Sequence, residues 1–167
     1  GGYLFPIFMY LYYNTIILKS LEEYQMKFNE FKYERPNYNE VKKSLYNLIE
    51  NLKNTDTAEK QYEYIKDINK IRNHIQTMGT LVEIRHSINT QDKFYDGEQN
   101  YWDEYSPIYD ELNSVFYKEL VQSKFKSELE KKLGKQCFTL AEFSLKSFSP
   151  DIIKDLQLEN KLSSEYT

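Results

Sequence analysis

Between Ala58 and Val82 the apolar residues Ala58, Tyr62, Ile65, Ile68, Ile71, Ile75, Met78 and Val82 recur at steps of three and four with little interruption. That spacing returns each side chain to one face of an α-helix, whereas a strand alternates its faces every two residues. The run "AEKQYEYIKDINKIRNHIQTMGTLVEIRHSIN" therefore predicts a helix of about eight turns, opened by Asp56 or Thr57 as N-cap. Gly79 is its one soft point, because glycine weakens a helix interior.

The flanking segments follow the same period. "YNEVKKSLYNLIENLKN" places Val41, Leu45, Leu48, Ile49 and Leu52 at helical spacing behind Asn37 or Asn39 as cap. Ahead of it, "KFNEFKYERP" alternates Phe28, Phe31 and Tyr33 with polar residues and stops at Pro36, which predicts an extended segment or a short edge strand. The stretch "NTQDKFYDGEQNYWDEY" reads as a loop. Ser106-Pro107 and Ser149-Pro150 then each offer a hydroxyl at N-cap and a proline at the first helical position. The first pair opens a helix with Ile108, Leu112, Val115, Phe116 and Leu120 on one face, and the second opens the final helix. Between them, "KFKSELEKKLGKQCFTLAEFSLKSF" reads as two helices broken at Gly134. The expected fold is mainly α, a lobe of about six helices including one long helix, with a short extended segment near the start.

Composition narrows the function. A chain of 167 residues, 40% hydrophobic with 5 Gly and 4 Pro, has one domain's length and enough apolar content to fold. The formal charge of −4 argues against a nucleic-acid-binding domain, since phosphate neutralisation needs a basic stripe. The single Cys137 forms no internal disulfide, fits a reducing, cytoplasmic compartment, and sits among apolar neighbours as a buried small hydrophobe. His74 and His86 lie twelve residues apart on the long helix. That separation is about 18 Å along the axis, too far for a shared metal ion. There is no His-Glu-x-x-His motif, phosphate-cradling glycine loop or Gly-x-Ser-x-Gly elbow, so neither catalytic nor metal-binding residues are expected in this chain. The 16 Tyr and 10 Phe belong mostly to the core and to half-buried helix surface.

The start of the chain is different in kind. Tyr3 to Leu18 is an apolar run shorter than the roughly 20 residues of a membrane-spanning helix, interrupted by Pro6 and Asn14 and preceded by no basic residue. Glu22-Glu23 must be encoded by a purine tract resembling a bacterial ribosome-binding site, and only Tyr24 and Gln25 separate it from Met26. Residues 1–25 are accordingly expected to be an upstream leader, with the native domain spanning residues 26–167.

The segments "MKFNEFKYERPNYNEVKKSL", "INKIRNHIQTMGTLVEIRHSINTQDKFYDGEQNYWDEYSPIYDEL" and "LGKQCFTLAEFSLKSFSPDIIKDLQLENKLSSEYT" together resemble the amino-terminal part of oligoendopeptidase F-type zinc metallopeptidases, within the thimet oligopeptidase family. The resemblance runs from Met26 to Thr167. It implies a mostly helical, two-lobed enzyme that cleaves short peptides inside a deep channel. It further implies a zinc ion held by a His-Glu-x-x-His helix and a distal glutamate in a carboxy-terminal catalytic domain. None of those residues matches a position here, so the chain is expected to be the non-catalytic amino-terminal lobe, cut before the catalytic half and inactive alone.

Within that resemblance Arg85 and His86, in "EIRHSIN", are candidate channel-wall groups that would meet a peptide carboxylate or backbone. Their plainer reading is structural: Arg85 paired with Glu83 or Asp92, and His86 capping or packing at the end of the long helix. A rival reading of the whole chain is a stand-alone helical binding or scaffold protein, tethered to a membrane through Tyr3 to Leu18.

Overall fold

In the computed structural model, the backbone of residues 30–147 and 153–166 is described, and so are the side chains of all of these except residues 153–156. The expected leader, the apolar run Tyr3 to Leu18, Met26 and the helix start expected at Ser149-Pro150 lie outside the described residues. The chain divides into two units, Gly1–Tyr33 and Glu34–Thr167. The described part of the first, residues 30–33, contains neither helix nor strand. The second holds the six helices of the described residues: α1 (Tyr38–Lys53), α2 (Ala58–Ile88), α3 (Lys93–Val121), α4 (Lys126–Leu133), α5 (Lys135–Ser147) and α6 (Ile153–Glu165). No strand forms among the described residues, so at residues 31–37 the edge strand is not seen and the segment carries no regular secondary structure, with Asn37 in an extended conformation.

Local chemistry sets the helix starts. Asn37, rather than Asn39, caps α1, its Oδ1 accepting the Glu40 N–H at 3.2 Å. Thr57, rather than Asp56, caps α2 by accepting the Lys60 N–H at 3.3 Å. Each bond satisfies one of the donors that a helix leaves free in its first turn. The 31 residues of α2 run unbroken through Gly79, about 46 Å in all. Between α4 and α5 the chain turns at Gly134, whose φ of 86° is open to glycine and strained for other residues. Its N–H donates to the Glu130 carbonyl at 2.8 Å, closing α4.

The largest departure from the sequence reading is α3. The stretch expected to be a loop is its first half, and Pro107 lies inside the helix instead of opening it. Asp92 is the cap that was missed, its Oδ1 accepting from Phe94 N–H at 2.9 Å and Tyr95 N–H at 3.4 Å. A helix that starts there buries Glu98, Trp102, Tyr109, Leu112, Phe116 and Leu120, one continuous face running across the proline. Proline has a helical φ but no N–H, so Pro107 leaves the Asp103 carbonyl, four residues back, without its intrahelical donor. A side-chain amide of α6 takes that place, Asn160 Nδ2 donating to the Asp103 carbonyl at 3.3 Å, and Gln157 Nε2 adds a bond to the neighbouring Glu104 carbonyl at 2.7 Å.

α3 is the hub, packing against α1, α2, α5 and α6, while α2 also meets α1 and α4. The core is Leu45, Ile49 and Leu52 of α1, the stripe Ile65, Ile68, Ile75, Met78 and Val82 of α2, and the inner faces of α3, α4 and α5. Buried Gln61 ties three segments together: its Nε2 donates to the Leu52 carbonyl at 3.0 Å and its Oε1 accepts from Ser123 Oγ at 2.5 Å. Arg35 of the "ERP" segment clasps buried Glu98 with two hydrogen bonds, at 2.9 and 2.6 Å, and lies over the Tyr101 ring at 4.5 Å. No helix among the described residues is long and apolar enough to cross a membrane.

Candidate functional site

Antiparallel packing of two long helices leaves a trough when small and polar side chains line the seam. Here Arg72 reaches Asn113 and Tyr117, Gly79 faces Trp102, and His86 meets Asp96, so α2 and α3 run in opposite directions side by side. Gly79 makes the approach possible. A Cβ at this position would lie 3.2 Å from the Trp102 ring, inside normal contact. The result is a cleft of about 700 Å³ between α2 and α3, with Asn160, Ser163 and Ser164 of α6 on its rim.

The lining is mostly polar. At one end stands Arg72, whose Nε donates to Asn113 Oδ1 at 3.0 Å, one terminal nitrogen to Asn69 Oδ1 at 2.8 Å, and the other to the Tyr117 hydroxyl. Its guanidinium also lies over the Tyr117 ring at 4.8 Å and the Phe116 ring at 5.1 Å. Asp110 stands nearby, and although it reaches solvent, burial by the cleft walls pushes its carboxyl above the usual range, against the opposing effects of Asn113 and Arg72. Farther along, buried Asp103 accepts from Gln99 Nε2 at 3.0 Å and Ser164 Oγ at 2.7 Å. None of these residues announced itself in the sequence. Arg72 sat inside a helical run, and Asp103 and Asp110 flanked a proline that read as a helix start.

Of the two candidate residues from the sequence, His86 lines the cleft and Arg85 does not. His86 is buried, with its Nε2 3.4 Å from Asp96 Oδ1, a packed position at the end of α2. Arg85 donates to the Tyr95 hydroxyl at 2.9 Å and lies over that ring at 5.7 Å, a partner the sequence reading did not consider. Cys137 is half-buried where a buried small hydrophobe was expected, because Phe138 and Ala141 take the inward positions of α5. Burial pushes its thiol up against the pull of Arg72, which disfavours the nucleophilic thiolate.

The donor set does not fit the zinc ion that the resemblance implies for the whole enzyme. Among the described residues no three His, Cys, Asp or Glu side chains converge on a point where an ion would sit.

Comparison with known proteins places this architecture. No curated protein matches the chain. A solved structure of PZ peptidase A with an inhibitor is 50% identical with a TM-score of 0.81, over 84% of this chain and 25% of that one. A structure described as an oligoendopeptidase F from Bacillus anthracis is 46% identical with a TM-score of 0.81, over 83% of this chain and 25% of that one. The chain thus spans about a quarter of the length of the solved proteins it matches. The description of one family, the peptidase M3 N-terminal domain, matches residues 28–148, well over half of the sequence. The chain, with its hub helix α3 and polar α2–α3 cleft, belongs to the peptidase M3 N-terminal domain family.

Proposed function

We infer that this helical unit is the non-catalytic amino-terminal part of a cytoplasmic zinc metallo-oligopeptidase that hydrolyses short peptides, and that it forms one wall of the substrate channel. The observation that carries the reading is 44–50% identity to solved proteins named as peptidases, over more than four fifths of this chain and a quarter of theirs. At that identity the helices and their packing are shared, so the unit takes the same place in the same kind of enzyme. Its partner is then a carboxy-terminal catalytic domain that holds the zinc. A metal there would polarise the scissile carbonyl and activate water, chemistry for which the described residues have no ligands. The present unit contributes shape and polar contacts. His86 in the cleft, with Arg85 beside it on α2, remains the pair through which the wall would touch a peptide.

The test uses the full-length product of the gene. It should cleave short unstructured peptides, lose that activity to a chelator and regain it with zinc, and leave folded proteins intact, while residues 26–167 alone should cleave nothing. Absence of peptide cleavage by the full-length product overturns the reading. For the wall residues, Arg85→Ala and His86→Ala should each raise KM; unchanged kinetics in both would remove them.

A further inference from the structure

We propose that Arg72 forms a carboxylate-binding subsite in the α2–α3 cleft, which takes the free carboxylate of a short peptide. The proposal rests on the peptide reading above and adds to it a specific contact and a specific end of the ligand.

Arg72 is held from three directions by neutral acceptors, Asn69 Oδ1 at 2.8 Å, Asn113 Oδ1 at 3.0 Å and the Tyr117 hydroxyl. A guanidinium has five N–H donors, so two remain beyond these three bonds. No carboxylate among the described residues forms an ion pair with it. The contrast with Arg35 is instructive, since that guanidinium is closed on both sides by Glu98. An arginine used only to clamp two helices would be expected to find a charge partner, because charge-assisted pairs are about twice as strong as neutral hydrogen bonds. Arg72 is instead oriented by neutral groups that fix its plane, with Asp110 close enough to act on it electrostatically but not bonded to it, and a ligand carboxylate would meet a fork whose rotamer freedom is already lost.

The cleft selects the kind of anion. Asp110 stands near the Arg72 end, and Glu83 and Asp103 line the wall farther along. A phosphate, carrying more than one negative charge, would be opposed by all three, whereas a single carboxylate meets the guanidinium with less repulsion. The dimensions suit a peptide: from Arg72 to His86 α2 rises about 21 Å, the length of roughly six extended residues.

The experiment compares binding and cleavage by the full-length protein of three hexapeptides of one alanine-rich sequence. One carries a free carboxy terminus, one is amidated there, and one is amidated but has Glu as its last residue. The free acid should show a KM about tenfold below that of the plain amide. Arg72→Gln should erase that difference by raising the KM for the free acid more than that for the amide, and Arg72→Lys should retain part of it. A glutamate-bearing amide that matches the free acid supports the subsite with a side-chain carboxylate as its ligand. Equal KM for all three peptides with the unsubstituted protein overturns the proposal and leaves the peptidase reading standing. So does an equal rise for acid and amide in Arg72→Gln, the signature of a clamp alone. Failure of all three peptides to bind or be cleaved removes the peptide reading and this subsite with it. The comparison made on the unsubstituted protein decides the matter even if Arg72→Gln does not fold.

Discussion

Gly79 sits in the interior of α2, where alanine would favour the helix by about 1 kcal/mol. That loss is offset by the Trp102 indole, which is 5% exposed and lies where a side chain at position 79 would point. Gly79→Ala should change stability little, because the gain in propensity opposes the strain of a 3.2 Å contact. Gly79→Leu has no such compensation and should cost at least about 2 kcal/mol, read as a lower urea midpoint with unchanged slope. Asp110 yields a prediction in pH. Its folded pKa is raised, so the stability it contributes is fully present below the unfolded value and is lost as pH rises through the folded value. Asp110→Asn escapes that loss. It should melt about 1–2 °C above the unsubstituted protein at pH 7, a small gain because the carboxylate still reaches solvent, and at the same temperature near pH 3. A lower melting temperature at pH 7 would show that its contacts with Asn113 and Arg72 outweigh its burial.

Among the elements, α2 was legible from its first turn to its last, because Ile65, Ile68, Ile75, Met78 and Val82 repeat one period without interruption. α3 was not, and the reason is local. Asp92, Gly97 and the run of acids and amides before Pro107 carry loop propensity, and Ser106-Pro107 offers a complete N-cap signature. The competing signal, a buried face passing from Glu98 and Trp102 to Tyr109 and Leu112, pays only when α2 and α6 are in place. Tertiary contacts therefore decide what propensity misjudged. The contribution of α6 is testable. Replacing Gln157 and Asn160 together by Ala leaves the Asp103 and Glu104 carbonyls without their amide donors. Hydrogen exchange of the α6 amides should accelerate about tenfold or more, while α2 amides in the stripe from Ile65 to Val82 keep their protection. Equal acceleration in both helices would mean that α6 and the α2–α3 pair open as one unit.

For the whole molecule, the helical class and the family resemblance could be read from the chain, whereas the cleft could not. Its lining comes from residues that meet only after α2 and α3 pair in antiparallel register, so Arg72 and Asn113, 41 positions apart, carry no joint signal in a single sequence. His86 drew attention because it sits in a recognisable segment, and the structure places it buried at the cleft wall. Surface chemistry supplies the last prediction. α5 is apolar on two sides: Phe138 and Ala141 face the core, while Leu140 and Phe143 are 52% and 67% exposed. Leu158 and Leu162 form a second exposed stripe on α6. Such side chains on neighbouring turns drive association when nothing covers them. The chain on its own should therefore self-associate as its concentration rises, measured by sedimentation velocity. Leu140→Ser with Phe143→Ser should reduce that association and move the unfolding free energy by no more than about 0.5 kcal/mol, since these positions add little to the core. A large loss of stability would mean that the outer face of α5 supports the fold. Unchanged association would shift attention to Leu158 and Leu162 on α6.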